Sequence, residues 1–245
     1  MYSHQLLNEI VLVTGADAGI GQAIAVAFAR EGADVVVAHN GDRAAALQTR
    51  ERVEALGRRA LALAVDLSEA DSVAALFETA REQLGAPSLL VNAAHAPGPQ
   101  VSIRDFDPMA WDAYLRANLY GPFHCCREFL RGLPAGRRSG GIINLIHHVE
   151  QRAPQGGAAQ GAAEGGLRSL TRTLARELVD SGINVNNLIA SAVRTGNGEV
   201  AGRRLAEPEE IAEVAVFLAS RRGRHIHGAD IVADGGHADG DLAPA

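Results

Sequence analysis

Seven short apolar runs punctuate the chain, at Ile10–Val13, Ala33–Ala38, Ala60–Val65, Ser88–Val91, Gly141–Leu145, Ile183–Leu188 and Ile231–Ala233. Each is about as long as a strand and nearly uniform in its apolar character, the pattern of strands buried on both faces. Between them lie longer amphipathic stretches with helical periodicity. Strands that alternate with helices predict a parallel sheet covered on both sides through right-handed crossovers, an α/β doubly wound Rossmann-type fold. No segment repeats, and the only long loops expected are Ala94–Val101 and Ser191–Gly202. One domain over residues 1–245 is expected, with 236–245 as a polar tail.

Composition supports a single large core, since 47% of the 245 residues are hydrophobic and 21% charged. A net charge of -6 argues against a nucleic-acid partner. The first ten residues lack a basic start and a signal-length apolar stretch, and no apolar run is long enough to span a bilayer, so a cytoplasmic protein without a membrane partner is expected. The two cysteines, Cys125 and Cys126, are adjacent and poorly placed to bridge. All 23 basic residues are arginine, a bias whose bland source is genome composition, and no lysine occurs.

The first candidate chemistry is a glycine loop. Strand Ile10–Val13 runs into Thr14-Gly15-Ala16-Asp17-Ala18-Gly19-Ile20-Gly21, and a helix is expected from Gly19 to Arg30. Glycines at a strand-to-helix turn let the backbone approach a pyrophosphate at the positive helix N-terminus, so NAD or NADP is the cofactor to consider. An acid that would bond the adenosine ribose is missing after the second strand, where Ala38-His39-Asn40-Gly41-Asp42-Arg43 places His39. Arg43 could meet a 2'-phosphate, but a solvated arginine at a helix start is the favoured reading.

This loop spacing resembles the short-chain dehydrogenase/reductase family, and the resemblance continues along essentially the whole chain. It implies that Asp66-Leu67 lie beside the adenine and that Asn92 opens the segment after the fourth strand, which here reads Asn92-Ala93-Ala94-His95. It places Asn118 as the helix asparagine of the catalytic tetrad and Val193 and Thr195 beside the nicotinamide. The closing segments Glu207–Ser220, Gly228 and Asp234-Gly235-Gly236 match closely. The family's remaining tetrad members, serine, tyrosine and lysine, fall on His147, Gln160 and Glu164. No other register restores them, because the tyrosines are Tyr2, Tyr114 and Tyr120. From Thr195 to the helix at Ile211, the chain is about a dozen residues short of a substrate lid.

The resemblance therefore implies a family member without the usual acid and its activator. The leading expectation is a non-catalytic subunit of a hetero-oligomeric NAD(P)-dependent dehydrogenase/reductase. Its partner would be a homologous active subunit in a heterotetramer, through helices at Pro108–Leu133 and Gly157–Ser181. The same helices would serve a homo-oligomer. One alternative is a repurposed isomerase, cyclase or dehydratase using His147 and Glu164, with His148, His95 or Tyr114, for acid-base work. Another is a nucleotide-binding sensor. No metal motif is present at ligand spacing.

Overall fold

The computed structural model describes residues 4–134, 136, 139–146, 155–190, 193 and 205–235. Its centre is a seven-stranded, wholly parallel sheet in the order β3-β2-β1-β4-β5-β6-β7. The strands are β1 Ile10–Thr14, β2 Asp34–His39, β3 Ala60–Ala64, β4 Leu89–Asn92, β5 Gly140–Ile146, β6 Ile183–Ile189 and β7 Asp230–Val232. Each expected strand is therefore present to within a residue or two at its ends.

Alternation along β1 assigns the two faces. Val11 and Val13 pack with the helices α1 Gly19–Arg30, α2 Arg43–Glu54 and α7 Pro208–Ala219, while Leu12 points to the opposite layer. That layer holds α3 Ala70–Gln83, α5 Gly121–Gly132 and α6 Ala158–Glu177. Both layers are required because strands this apolar would otherwise leave one face in water. Phe28 on α1 and Phe77 on α3 are fully buried anchors, each worth about 3–5 kcal/mol against alanine.

The expected helix Pro108–Leu133 is divided. It comprises α4 Pro108–Leu115, a π-helical turn Arg116–Tyr120 and α5. Such a wide turn inserts a residue into the helical ladder and re-aims one side chain, often at a functional site. Here that turn carries Asn118. The expected helix Gly157–Ser181 is observed as α6, which ends at Glu177. The 236–245 tail and most of Ser191–Gly202 lie outside the described residues.

From β1 the chain turns to β2 on one side, whereas β4 lies on the other, paired through Thr14 and Asn92. In open α/β sheets this reversal leaves a crevice beyond the strand C-terminal ends, where ligands bind. Among the described residues no helix is long and apolar enough to cross a membrane.

Candidate functional site

On one side of the crevice, the backbone itself forms the site. Gly15 adopts φ +65°, and a Cβ there would lie 2.7 Å from Ala94 Cα. A Cβ on Gly21 would lie 2.2 Å from the Gly15 carbonyl oxygen. Neither position tolerates a side chain without moving the loop. Thr14 ties that loop to the next strand, its hydroxyl oxygen accepting from Ala93 N at 3.0 Å and Ala94 N at 3.1 Å. Helix α1 begins at Gly19 with buried Ile20 as an anchor, and Ala18 provides no side-chain cap. No acidic residue occupies the first turn, so no carboxylate of the helix offsets its positive N-terminal end. A dinucleotide's pyrophosphate fits this cradle.

The adenosine side is different. His39 is buried at the end of β2, and its Nδ1 has no hydrogen-bond partner. Asp42, the nearest carboxylate in sequence, is committed to the α2 N-terminus, accepting from Ala44 N at 2.9 Å and Ala45 N at 3.1 Å. Arg43 is the exposed first residue of α2. Exposed Asp66 accepts from Ser68 N and Ser68 Oγ at 2.9 and 2.7 Å, while buried Leu67 packs against Gly121 at the start of α5.

Across the crevice the site is made by side chains from β4, the π turn and α6. Asn118 Oδ1 accepts from Ala96 N at 3.0 Å, and Asn118 Nδ2 donates to Ala96 O at 3.1 Å and to Tyr114 O at 3.0 Å. The π turn thus fastens the loop after β4. Glu164 is only 8% exposed and lines a void with Asn92, His95, Tyr114 and Asn118. Gln160, one turn earlier on α6, donates to Glu164 Oε1 at 3.4 Å. Burial, reinforced by the nearby Glu164 charge, pushes the Tyr114 phenol up to about 12. Tyr114 therefore remains a protonated phenol near neutrality. Its ring packs against Gly98 and meets His95 edge-on at 6.3 Å.

Behind the crevice runs a buried polar chain. Asn92 Nδ2 donates to Asn144 Oδ1 at 2.7 Å, and Asn144 Nδ2 donates to Thr171 Oγ1 at 2.8 Å. Thr171 donates to Asn187 Oδ1 at 2.7 Å, and Asn187 Nδ2 donates to Asp230 Oδ1 at 2.6 Å. Arg168 and Arg172 complete the far end on Asp230 Oδ2. Burial raises the Asp230 pKa, but donation from Asn187, Arg168 and Arg172 outweighs it and holds the carboxyl below its usual value. Sequence reading missed this chain. Its visible signal was Asn144 and Asn187 interrupting otherwise apolar strands.

The structure thus brings Thr14, Gly15, Gly19, Ile20, Gly21 and Asn92 to one end of the sheet, with Asn118, Gln160 and Glu164 across the opening. Val193 forms an isolated parallel bridge with Ala206. His147 and Thr195, both singled out from the sequence, lie outside the described residues. Among the described residues no group of three or more His, Cys, Asp or Glu side chains is placed to hold a metal ion.

Comparison with known proteins matches residues 15–238 to the family model described as enoyl-(acyl carrier protein) reductase. D-threitol dehydrogenase of Mycolicibacterium smegmatis is 33% identical over 96% of this chain and 95% of its own length. A Serratia marcescens short-chain dehydrogenase/reductase, solved in a doubly substituted form, superposes with a TM-score of 0.89 at 27% identity, covering 96% of this chain and 100% of that one. A short-chain dehydrogenase of Burkholderia cenocepacia, solved in complex with NADP, gives a TM-score of 0.87 at 28% identity, over 94% of this chain and 98% of that one.

Proposed function

This chain belongs to the short-chain dehydrogenase/reductase family, and from that premise we propose that it is a nicotinamide-nucleotide-binding subunit that does not transfer hydride by itself. It works beside a homologous active dehydrogenase/reductase, most simply in a heterotetramer. One observation carries the reading: the α6 face turned to the crevice presents Glu164 beside Gln160, where the family resemblance calls for an ammonium and a phenol. An ammonium favours a phenolate and attracts a phosphate-bearing cofactor, whereas a carboxylate does neither. No lysine elsewhere in the sequence can substitute for it.

The glycine cradle supports retention of the nucleotide. Gly15, Gly19 and the α1 N-terminus would hold the pyrophosphate, with Thr14 fixing the loop and His39 nearest the adenosine ribose. Asp66, Leu67 and Asn92 would line the adenine and central parts, and Val193 and Thr195 the nicotinamide end. Bound there, the nicotinamide supplies a hydride donor or acceptor. This chain's residues would bind and orient it without offering the usual proton donor. NADP in the Burkholderia relative supports the class of ligand and does not discriminate between NAD and NADP here.

Exposed apolar side chains on α4, the π turn and α5 support assembly. Met109 is 80% exposed, with Tyr120 and Phe123 exposed further along the same helical stretch. These surfaces serve a heterotetramer or a homo-oligomer equally, so catalysis must discriminate. Co-expression with an intact homologue should give a mixed complex whose hydride transfer is abolished by replacing the partner's catalytic tyrosine and unaffected by His147→Ala in this chain. The isolated chain should show no turnover with either nicotinamide cofactor and a panel of ketones and alcohols.

A second reading is acid-base chemistry without hydride transfer, such as isomerisation, cyclisation or dehydration. The proximity of Tyr114 to Glu164 favours it, because it places a protonated phenol beside a carboxylate. In that case His147→Ala would abolish the complex's activity while leaving assembly intact.

A further inference from the structure

The acid in the turn between β2 and α2, Asp42, is spent on the α2 N-terminus, yet a second carboxylate reaches that turn from the neighbouring loop. Thr14 and Ala38 are paired at the ends of β1 and β2, and Ala16 N donates to Ala38 O at 3.3 Å. The glycine loop is thereby drawn onto the outgoing end of β2. Asp17 is the next residue, and a Cβ on exposed Gly41 would lie 3.7 Å from its Oδ2. The acid absent from the end of β2 is thus supplied in space by β1's loop.

The Asp17 carboxylate is half-buried, makes no hydrogen bond or ion pair with any described residue, and has neither oxygen sealed from solvent. Its backbone is held from α1 and α2. Gln22 Nε2 donates to Asp17 O at 3.5 Å and to Thr49 Oγ1 at 2.8 Å, while Arg52 donates to Gln22 Oε1 at 2.7 Å. Arg52 is therefore committed to α1. Arg50 pairs with Glu54 at 3.4 Å, one turn further along α2. Exposed Arg43 is left as the guanidinium of the turn, with the carboxylates of Asp17 and Asp42 at the same place.

We propose that Asp17 makes this chain select NAD over NADP, taking the part that an acid at the end of the second strand plays in other dinucleotide folds. The two nucleotides differ at one position of the adenosine ribose, a hydroxyl in NAD and a phosphate in NADP. A hydroxyl donates to a carboxylate, which only accepts. A phosphate monoester instead brings about 1.5 to 2 negative charges near neutrality, and like charges at short range repel. Arg43 alone does not reverse that balance, because two carboxylates stand at its turn. The proposal rests on the nucleotide-binding reading above, and neither the partner subunit nor the altered α6 face enters it.

Calorimetric titration of the intact chain with NAD+ and with NADP+ at low ionic strength tests it. The wild-type chain should bind NAD+ at least about tenfold more tightly, the scale of a charge-assisted hydrogen bond set against like-charge repulsion. Asp17→Asn, which keeps the shape and removes the charge, should bring the two affinities within about threefold by weakening NAD+ and strengthening NADP+. Asp17→Ser, a second uncharged variant, should give the same convergence where the first fails to fold. Arg43→Ala should leave the preference for NAD+ in place or widen it. The proposal is overturned by equal affinities or a preference for NADP+ in the wild-type chain, or by an unchanged ratio in either folded Asp17 variant. Binding of both nucleotides without preference removes only the role of Asp17, whereas binding of neither removes the nucleotide-binding reading and this proposal together.

Discussion

The two walls of the crevice hold their ligand groups by different physics. On the β1–α1 side, backbone conformation makes the site: Gly15 at φ +65° leaves no room for a Cβ against Ala94, and Gly21 leaves none against Gly15. On the α6 side, the backbone is an ordinary helix and everything depends on which side chains project from it. Glu164 and Gln160 occupy that face without disturbing the helix. A backbone-built site tolerates little substitution, whereas a side-chain-built site can change its chemistry while the fold persists. This contrast shows how one fold can keep a backbone-built loop while the side chains facing it vary.

The largest test of that contrast is Gly21→Ala. Its methyl group would collide with the Gly15 carbonyl, so the loop must shift, at a cost of about 1–3 kcal/mol in stability. Loss of one or two charge-assisted hydrogen bonds to the pyrophosphate should lower affinity for NAD(H) or NADP(H) about a hundredfold. Glu164→Gln should leave that affinity within about threefold or improve it, because it removes a negative charge near the phosphate-bearing ligand. Calorimetric titration of both variants checks the pair. Comparable losses in the two would show that the walls are not independent.

Thr171→Val tests the support behind the α6 wall. It strands the Asn144 amide and the Asn187 oxygen in the interior, at about 1–3 kcal/mol for each group left unsatisfied. Urea unfolding should register a loss of that order with little change in the slope. An unaltered midpoint would mean that the chain from Asn92 to Asp230 contributes no net stability.

Acid stability should be affected less. The folded pKa of Asp230 is depressed, so its contribution is present above the unfolded value near about 4 and is lost as pH falls through the folded value. Asp230→Asn should lower stability at neutral pH and flatten the acid limb of the stability profile. A limb as steep as the wild type's would assign that pH dependence elsewhere.

The smallest effect expected is at high pH. The folded pKa of Tyr114 is raised, so its contribution is intact below the unfolded value near about 10 and declines as pH rises toward about 12. Ultraviolet titration should show one late-ionising phenol, and Glu164→Gln should bring it to lower pH. Insensitivity of that phenol to Glu164→Gln would remove the charge coupling and leave burial as the cause.

Much of the fold is legible in the sequence. The apolar runs fixed seven strands almost to the residue, since a strand buried on both faces has few alternatives to uniform apolarity. The glycine loop was legible because left-handed backbone and close approach leave a mark in residue identity. The π turn left no such mark: Trp111–Asn118 has ordinary helical periodicity, and only packing against α6, where Gly166 admits Leu119, decides how it winds. The polar chain was equally hidden, because Asn92, Asn144, Thr171, Asn187 and Asp230 are scattered over more than half the sequence.

Sequence by itself determined the sheet, the helices between its strands, the glycine loop, and the types of side chain at positions 160 and 164. These follow from short-range periodicity and from steric limits that a single residue imposes. Only the tertiary structure decided that Glu164 and Tyr114 share a void with Asn92, and that the free end of Asn92 is an acceptor. Those facts depend on parallel strands laid side by side and on a carboxylate four hydrogen bonds away, a nonlocal arrangement that no local pattern encodes.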